Sequence, residues 1–132
     1  MYIDETTIAY HSIIWFACDV SGRVIVANSN EGDVPGFVAE SLERAQLLAD
    51  RLCGLKAIDR QRTPQIDYEL FAKKGFYCFA NNDPFDGKLY QLCAKPMIPL
   101  MLHDLEPDLY QLLSAQMLPI NLSDCNDFYI EK

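Results

Sequence analysis

Hydrophobic positions along the chain follow two different periods. Residues 8–18 (IAYHSIIWFAC) are dense in β-branched and aromatic types and run into Asp19-Val20-Ser21-Gly22, a turn composition, so they predict a first strand. Arg23-Val24-Ile25-Val26-Ala27 predicts a second, and the short connection predicts a hairpin. Further on the period lengthens. Val38, Leu42, Ala45, Leu48, Leu52 and Leu55 form one apolar stripe, opposite Glu40, Glu43, Arg44, Gln46, Asp50 and Arg51, as on a helix with one face in a core. That helix opens at Val34-Pro35-Gly36, with Asp33 or Val34 as its cap and Pro35 in its first turn, and Gly54 sits where a helix ends.

The second half repeats this order. Residues 59–65, with Pro64, read as a connecting loop, and residues 66–72 fit either a short strand or a helical turn. Phe76-Tyr77-Cys78-Phe79-Ala80 predicts a strand, residues 81–87 (NNDPFDG) a turn, and residues 88–95 its partner, stopped by Pro96 and Pro99. A second helix is expected from Asp108 to about Met117, with Leu109, Leu112, Leu113 and Gln116 at helical spacing and Pro119 beyond. Residues 120–122 and 128–130 predict short final strands. The expected fold is a single α+β domain over residues 1–132: an antiparallel sheet built from hairpins with two helices packed on it, in the order of a ββα-ββα pseudo-repeat.

Charge narrows the functional classes. The net charge is −8, from 19 acidic and 11 basic side chains, which disfavours nucleic acid and anionic membranes as partners. Acids concentrate in residues 83–132, whereas Arg51, Lys56, Arg60 and Arg62 form a small basic stretch. An acidic N-terminus without an apolar leader, and no apolar run of the roughly 18 residues that span a bilayer, predict a cytoplasmic location. Cys18, Cys53, Cys78, Cys93 and Cys125 are odd in number and lack a C-x-x-C pair, so neither a disulfide framework nor a zinc site is expected, and no cofactor is implied.

Catalytic chemistry has little to draw on. With only His11, expected in mid-strand, and His103, the best nucleophile–base pair is Cys93 with His103, and no oxyanion-hole glycine or third residue accompanies it. The loop at residues 28–33 lacks the ligand spacing of a calcium site. No phosphate-binding glycine loop or nucleophile elbow occurs, so the chain is not expected to be an enzyme.

Binding is the expected activity. Phe85 between Asp83 and Asp86 has the form of an aromatic anchor with an acidic rim. Asn30, Glu31 and Asp33 in the first loop, and Asp104, Glu106 and Asp108 at the start of the second helix, complete the candidate partner-binding set. The run Trp15-x-x-x-Asp19-x-x-Gly22, the Gly32-x-Val34-Pro35 helix entry, Gly75-Phe76-Tyr77 and the Tyr90, Pro96, Pro99 spacing resemble a family of small uncharacterised bacterial proteins, some similar to immunity proteins that neutralise toxins. The resemblance implies a cytosolic immunity or antitoxin-like protein whose acidic face occludes a basic toxin. The alternatives are a small-molecule-binding protein with a pocket between sheet and helices, and an oligomeric scaffold such as a homodimer.

Overall fold

The computed structural model describes residues 1–58 and 67–131, so the loop expected at residues 59–65 lies outside the described residues, as do Arg60 and Arg62. Strands β1 (Ile14–Cys18), β2 (Val24–Asn28), β3 (Tyr77–Ala80), β4 (Leu89–Ala94) and β5 (Asp127–Tyr129) form one sheet in chain order. Pairings β1–β2, β3–β4 and β4–β5 are antiparallel, and the expected hairpins are present. Between them the sheet departs from expectation: β2 and β3 run parallel, Ile25 to Asn28 beside Tyr77 to Ala80. Two strands joined by a tight turn must be antiparallel, but β2 reaches β3 through a long helical excursion that allows a parallel crossover.

Helices α1 (Glu5–Tyr10), α2 (Gly36–Ala39), α3 (Leu42–Cys53), α4 (Tyr68–Lys73) and α5 (Pro107–Ser114) surround the sheet, with a 3₁₀ turn at Leu102–Asp104. Residues 8–10, expected in the first strand, instead end α1, whose N-cap Asp4 accepts a hydrogen bond from the Thr7 amide at 2.7 Å. His11 therefore follows a helix rather than lying in mid-strand, its Nδ1 at 3.0 Å from the Thr7 carbonyl oxygen. The single helix expected after Val34 is two. Ser41 adopts extended backbone and its hydroxyl accepts from the Arg44 amide at 3.1 Å, a local cap that wins over helix continuation. Backbone from the N-terminal segment enters the break: the Ile3 amide donates to the Ala39 carbonyl and the Leu42 amide to the Met1 carbonyl, both at 2.8 Å. Gly54 ends α3 as expected, in the left-handed conformation at φ +64°. Of the stretch expected at residues 66–72, Ile66 lies outside the described residues and the rest is helical, as α4 (Tyr68–Lys73) capped by Asp67, whereas residues 120–122 form no strand.

Every residue of β1, β2 and β3 is buried, because both faces of the sheet are covered. Trp15, Ala27 and Phe79 share one face by register, where the Trp15 and Tyr90 rings meet edge-on at 5.2 Å and Phe79 meets Phe128 at 4.8 Å. Phe16, Val26 and Cys78 share the other, packed beneath Phe76 and Phe71. The element order strand, strand, helix recurs, but the packing does not: α3 and α5 both pack chiefly on β1.

β1 is an edge strand without a free edge. Gln116 donates from Nε2 to the Phe16 carbonyl at 2.7 Å, and its own carbonyl accepts from the Cys18 amide at 3.1 Å. The Ile14 amide donates to the Ala57 carbonyl at 2.9 Å and Leu118 donates to Cys18 at 2.8 Å, so loops occupy the positions another strand would take.

The β1–β2 turn is held by Asp19, whose side chain is fully buried. Its carboxylate accepts from the amides of Ser21, Arg23 and Leu122 and from the Arg23 guanidinium, all at 2.8 to 3.0 Å. Replacing Asp19 with Ala strands these donors, and the expected loss of stability is about 3 kcal/mol. A urea titration checks it: the midpoint falls with an unchanged slope, and a midpoint equal to wild type refutes the assigned role.

Candidate functional site

Parallel pairing places the carboxyl ends of β2 and β3 side by side, and the two candidate loops leave from there. The Asn81 amide extends the ladder by donating to the Asn28 carbonyl at 3.0 Å. Beyond it the loops at residues 28–33 and 81–87 are joined by direct bonds. Asn30 donates from Nδ2 to the Asn81 carbonyl at 3.0 Å, and the Asp33 amide donates to the Gly87 carbonyl at 2.9 Å. Gly32 lies so close to the second loop that a Cβ there would be 2.9 Å from the Asn81 side chain, which only glycine avoids.

Buried polar side chains hold the base of each loop. Asn81 donates from Nδ2 to the carbonyls of Asp86 and Leu89 at 2.7 and 3.0 Å. Asn28 accepts from the Asn30 amide at 3.1 Å, and the Ser29 hydroxyl accepts from the Ile13 amide at 2.8 Å. These contacts hold Asn30 and Glu31 at φ +45° and +67°, left-handed backbone that costs a non-glycine residue about 1 kcal/mol or more. From the core, Tyr90 reaches the same place: its hydroxyl accepts from Trp15 Nε1 at 3.1 Å and donates to the Asp33 carbonyl at 2.6 Å. Sequence reading placed Asn28, Ser29 and Asn81 in loops and Tyr90 in the resemblance spacing, but gave none of them a role in the site. The available signal was the repeated Ala-Asn at the end of each strand, Ala27-Asn28 and Ala80-Asn81.

Phe85 stands at the tip of the second loop with 96% of its surface exposed. Asp83 accepts from the Phe85 amide at 2.9 Å and Asp86 from the Lys88 amide at 3.1 Å, so both carboxylates fix the turn that presents the ring. Asn30, Glu31, Asp33, Asp83, Phe85 and Asp86, drawn from two stretches fifty residues apart in sequence, thus share one loop cluster, with Lys88 beside it.

Asp104, Glu106 and Asp108 do not join them. The chain leading to α5 lies at the opposite end of the sheet, where Leu102 donates to the Gly22 carbonyl and Val24 to the Leu100 carbonyl. Asp104 accepts from the Met101 amide at 3.0 Å, and Arg51 bridges Glu106 at 2.9 Å and Asp108 at 2.8 Å. Arg51 holds the Asp108 carboxyl below its usual range, chiefly by the hydrogen bond between them. One arginine of the expected basic stretch therefore meets part of the expected acidic face within the same molecule.

Cys93, the candidate nucleophile, lies partly buried in β4. Burial pushes the Cys93 thiol above its ordinary value, and its neighbours are the Gln91 carbonyl and Asn82. His103 is exposed and 3.5 Å from Asp104. Among the described residues no three His, Cys, Asp or Glu side chains converge as metal ligands would, and no helix is long and apolar enough to cross a membrane. Compared with known protein families, curated proteins and solved structures, the chain matches none.

Burial raises Cys18 and Cys53 to about 11 and Cys78 and Tyr68 to about 12. Each group binds its proton more tightly folded than unfolded, so this contribution is complete below the ordinary thiol value of 9.0 and is lost as pH rises toward 11 and 12. Urea unfolding at several alkaline pH values should show stability falling steadily above about pH 9, with a shallower fall in Cys78→Ala. A flat profile refutes the burial of these thiols.

Proposed function

We propose that the chain is a non-enzymatic protein-binding module that docks a basic protein through the loop cluster at the carboxyl ends of β2 and β3. The observation that carries this reading is Phe85, an aromatic ring almost wholly in solvent on a loop fixed by the two acids that flank it. Burying such a ring against a partner contributes about 1.5–3 kcal/mol, and a loop already fixed in shape loses little entropy on docking. The acids steer a basic surface toward the ring and reject an acidic one. Placement at the ends of parallel strands supports the same reading, since loops there converge on a rigid base.

In biological terms this reading makes the chain a cytoplasmic immunity or antitoxin-like protein of a bacterium that occludes a basic effector. The resemblance in the Trp15 to Gly22 and Gly32 to Pro35 motifs supports it, as does the acidic net charge. In the same reading the ββα-ββα order is a pseudo-repeat.

Co-expression with the product of the adjacent gene tests it. The expected result is a stoichiometric complex whose affinity falls about thirtyfold in Phe85→Ala, equivalent to a hot spot of about 2 kcal/mol, with the variant as stable as wild type. No complex, or a complex indifferent to Phe85, overturns the assignment.

A further inference from the structure

Beside the loop cluster a cleft of about 430 Å³ opens between α1, the loop leading into α2, and α2 itself. Its floor includes Ile3, Ile8 and Val34, and its polar lining is Glu5, Glu31 and Asp33. Among the described residues no lysine, arginine or histidine lines it. Among the described residues neither Glu5 nor Glu31 has an ion-pair partner. The volume lies within the range of ligand sites, roughly 300–1,000 Å³. Asp33, which lines the cleft, bonds through its amide to Gly87, so the cleft adjoins the loop that carries Phe85.

An apolar floor under a rim of carboxylates selects a particular chemistry. An anion would be repelled by Glu5 and Glu31, and a neutral apolar group would take water from them without replacing it. A side chain with an alkyl stem and a terminal cation satisfies both parts at once, stem against the floor and charge at the rim. We propose that this cleft is a socket for one lysine or arginine side chain of the basic partner protein. The inference rests on the docking reading above and names the second anchor of the same surface: Phe85 projects outward into the partner, and the partner projects a basic side chain back.

The probe is the blocked tripeptide acetyl-Gly-Lys-Gly-amide, titrated into the full chain and followed by amide NMR, with the norleucine tripeptide as its uncharged counterpart. The expected result is saturable shifts confined to amides lining the cleft, such as Ile8, Val34 and Ala39. The norleucine peptide should give none. Affinity should fall about tenfold in the Glu5→Gln, Glu31→Gln double variant, a change of about 1.4 kcal/mol, while Glu106→Gln, at the opposite end of the sheet, leaves it unchanged. Shifts equal for both peptides, shifts spread over every acidic surface including Asp104 to Asp108, or no shifts at all overturn the socket. If the socket fails while a basic protein still binds in a Phe85-dependent manner, the docking function stands without it. If the lysine peptide binds but no basic protein does, the partner reading falls and the cleft is a site for a small alkylammonium ligand.

Discussion

The parallel pairing of β2 with β3 is the constraint on which the rest of the molecule depends. An antiparallel pairing would have sent the loops after Asn28 and Ala80 to opposite ends of the sheet. Parallel pairing brings them together, and the Asn81 to Asn28 hydrogen bond carries the ladder one step into the loops. It also dictates the long helical connection, since the chain must return to the start of the sheet before β3 begins. α2, α3 and α4 fill that return. The meeting of the acid-flanked phenylalanine with the Asn30 to Asp33 loop is therefore a consequence of one strand direction.

Position alone would not make the loops rigid. The Trp15, Tyr90 and Asp33 chain ties the first loop to the centre of the core, because Tyr90 accepts from an indole and donates to loop backbone. Its phenol is almost completely enclosed, and burial pushes its ionisation well above the ordinary value, so it remains a donor. A buried hydroxyl without these partners would be costly, which makes the bonded arrangement strongly preferred. At the far end Asp19 gathers three amides and a guanidinium in the same manner. Each end of the sheet is thus closed by buried polar groups whose partners are satisfied, one holding a turn and the other holding a surface.

Much of this was legible in the sequence at the level of elements. The leucine stripe, the Gly54 stop, both hairpins and the turn chemistry of residues 81–87 follow from local rules and are present. What failed was competition between local signals and tertiary ones. The β-branched and aromatic character of residues 8–18 concealed a helix that Asp4 begins, and the apolar stripe running through Ser41 concealed a cap. The covering of both sheet faces left a trace, because β1, β2 and β3 are apolar at nearly every position instead of alternating. The site was half legible: composition singled out both loops, but their adjacency is a property of strand direction, which no local pattern encodes. The cleft was not legible at all, because one wall is the helix that the sequence concealed.

Acidic charge does different things at the two ends. At the turn end it is answered within the molecule, Asp19 by Arg23 and Glu106 with Asp108 by Arg51. At the loop end Glu31, Asp83 and Asp86 have no ion-pair partner among the described residues, although Asp83 and Asp86 each hold a backbone amide. An arriving cation at the turn end must first displace an arginine held by two carboxylates, and the exchange yields little, since one exposed pair replaces another at about 0–1 kcal/mol each. In the proposed docking no arginine among the described residues has to be displaced at the loop end, and Phe85 shields the new contact as the surfaces close. Carboxylates gain strength when water is excluded around a pair of opposite charge. A count of acids along the sequence therefore does not separate the two ends, which differ in how many of their charges are already paired.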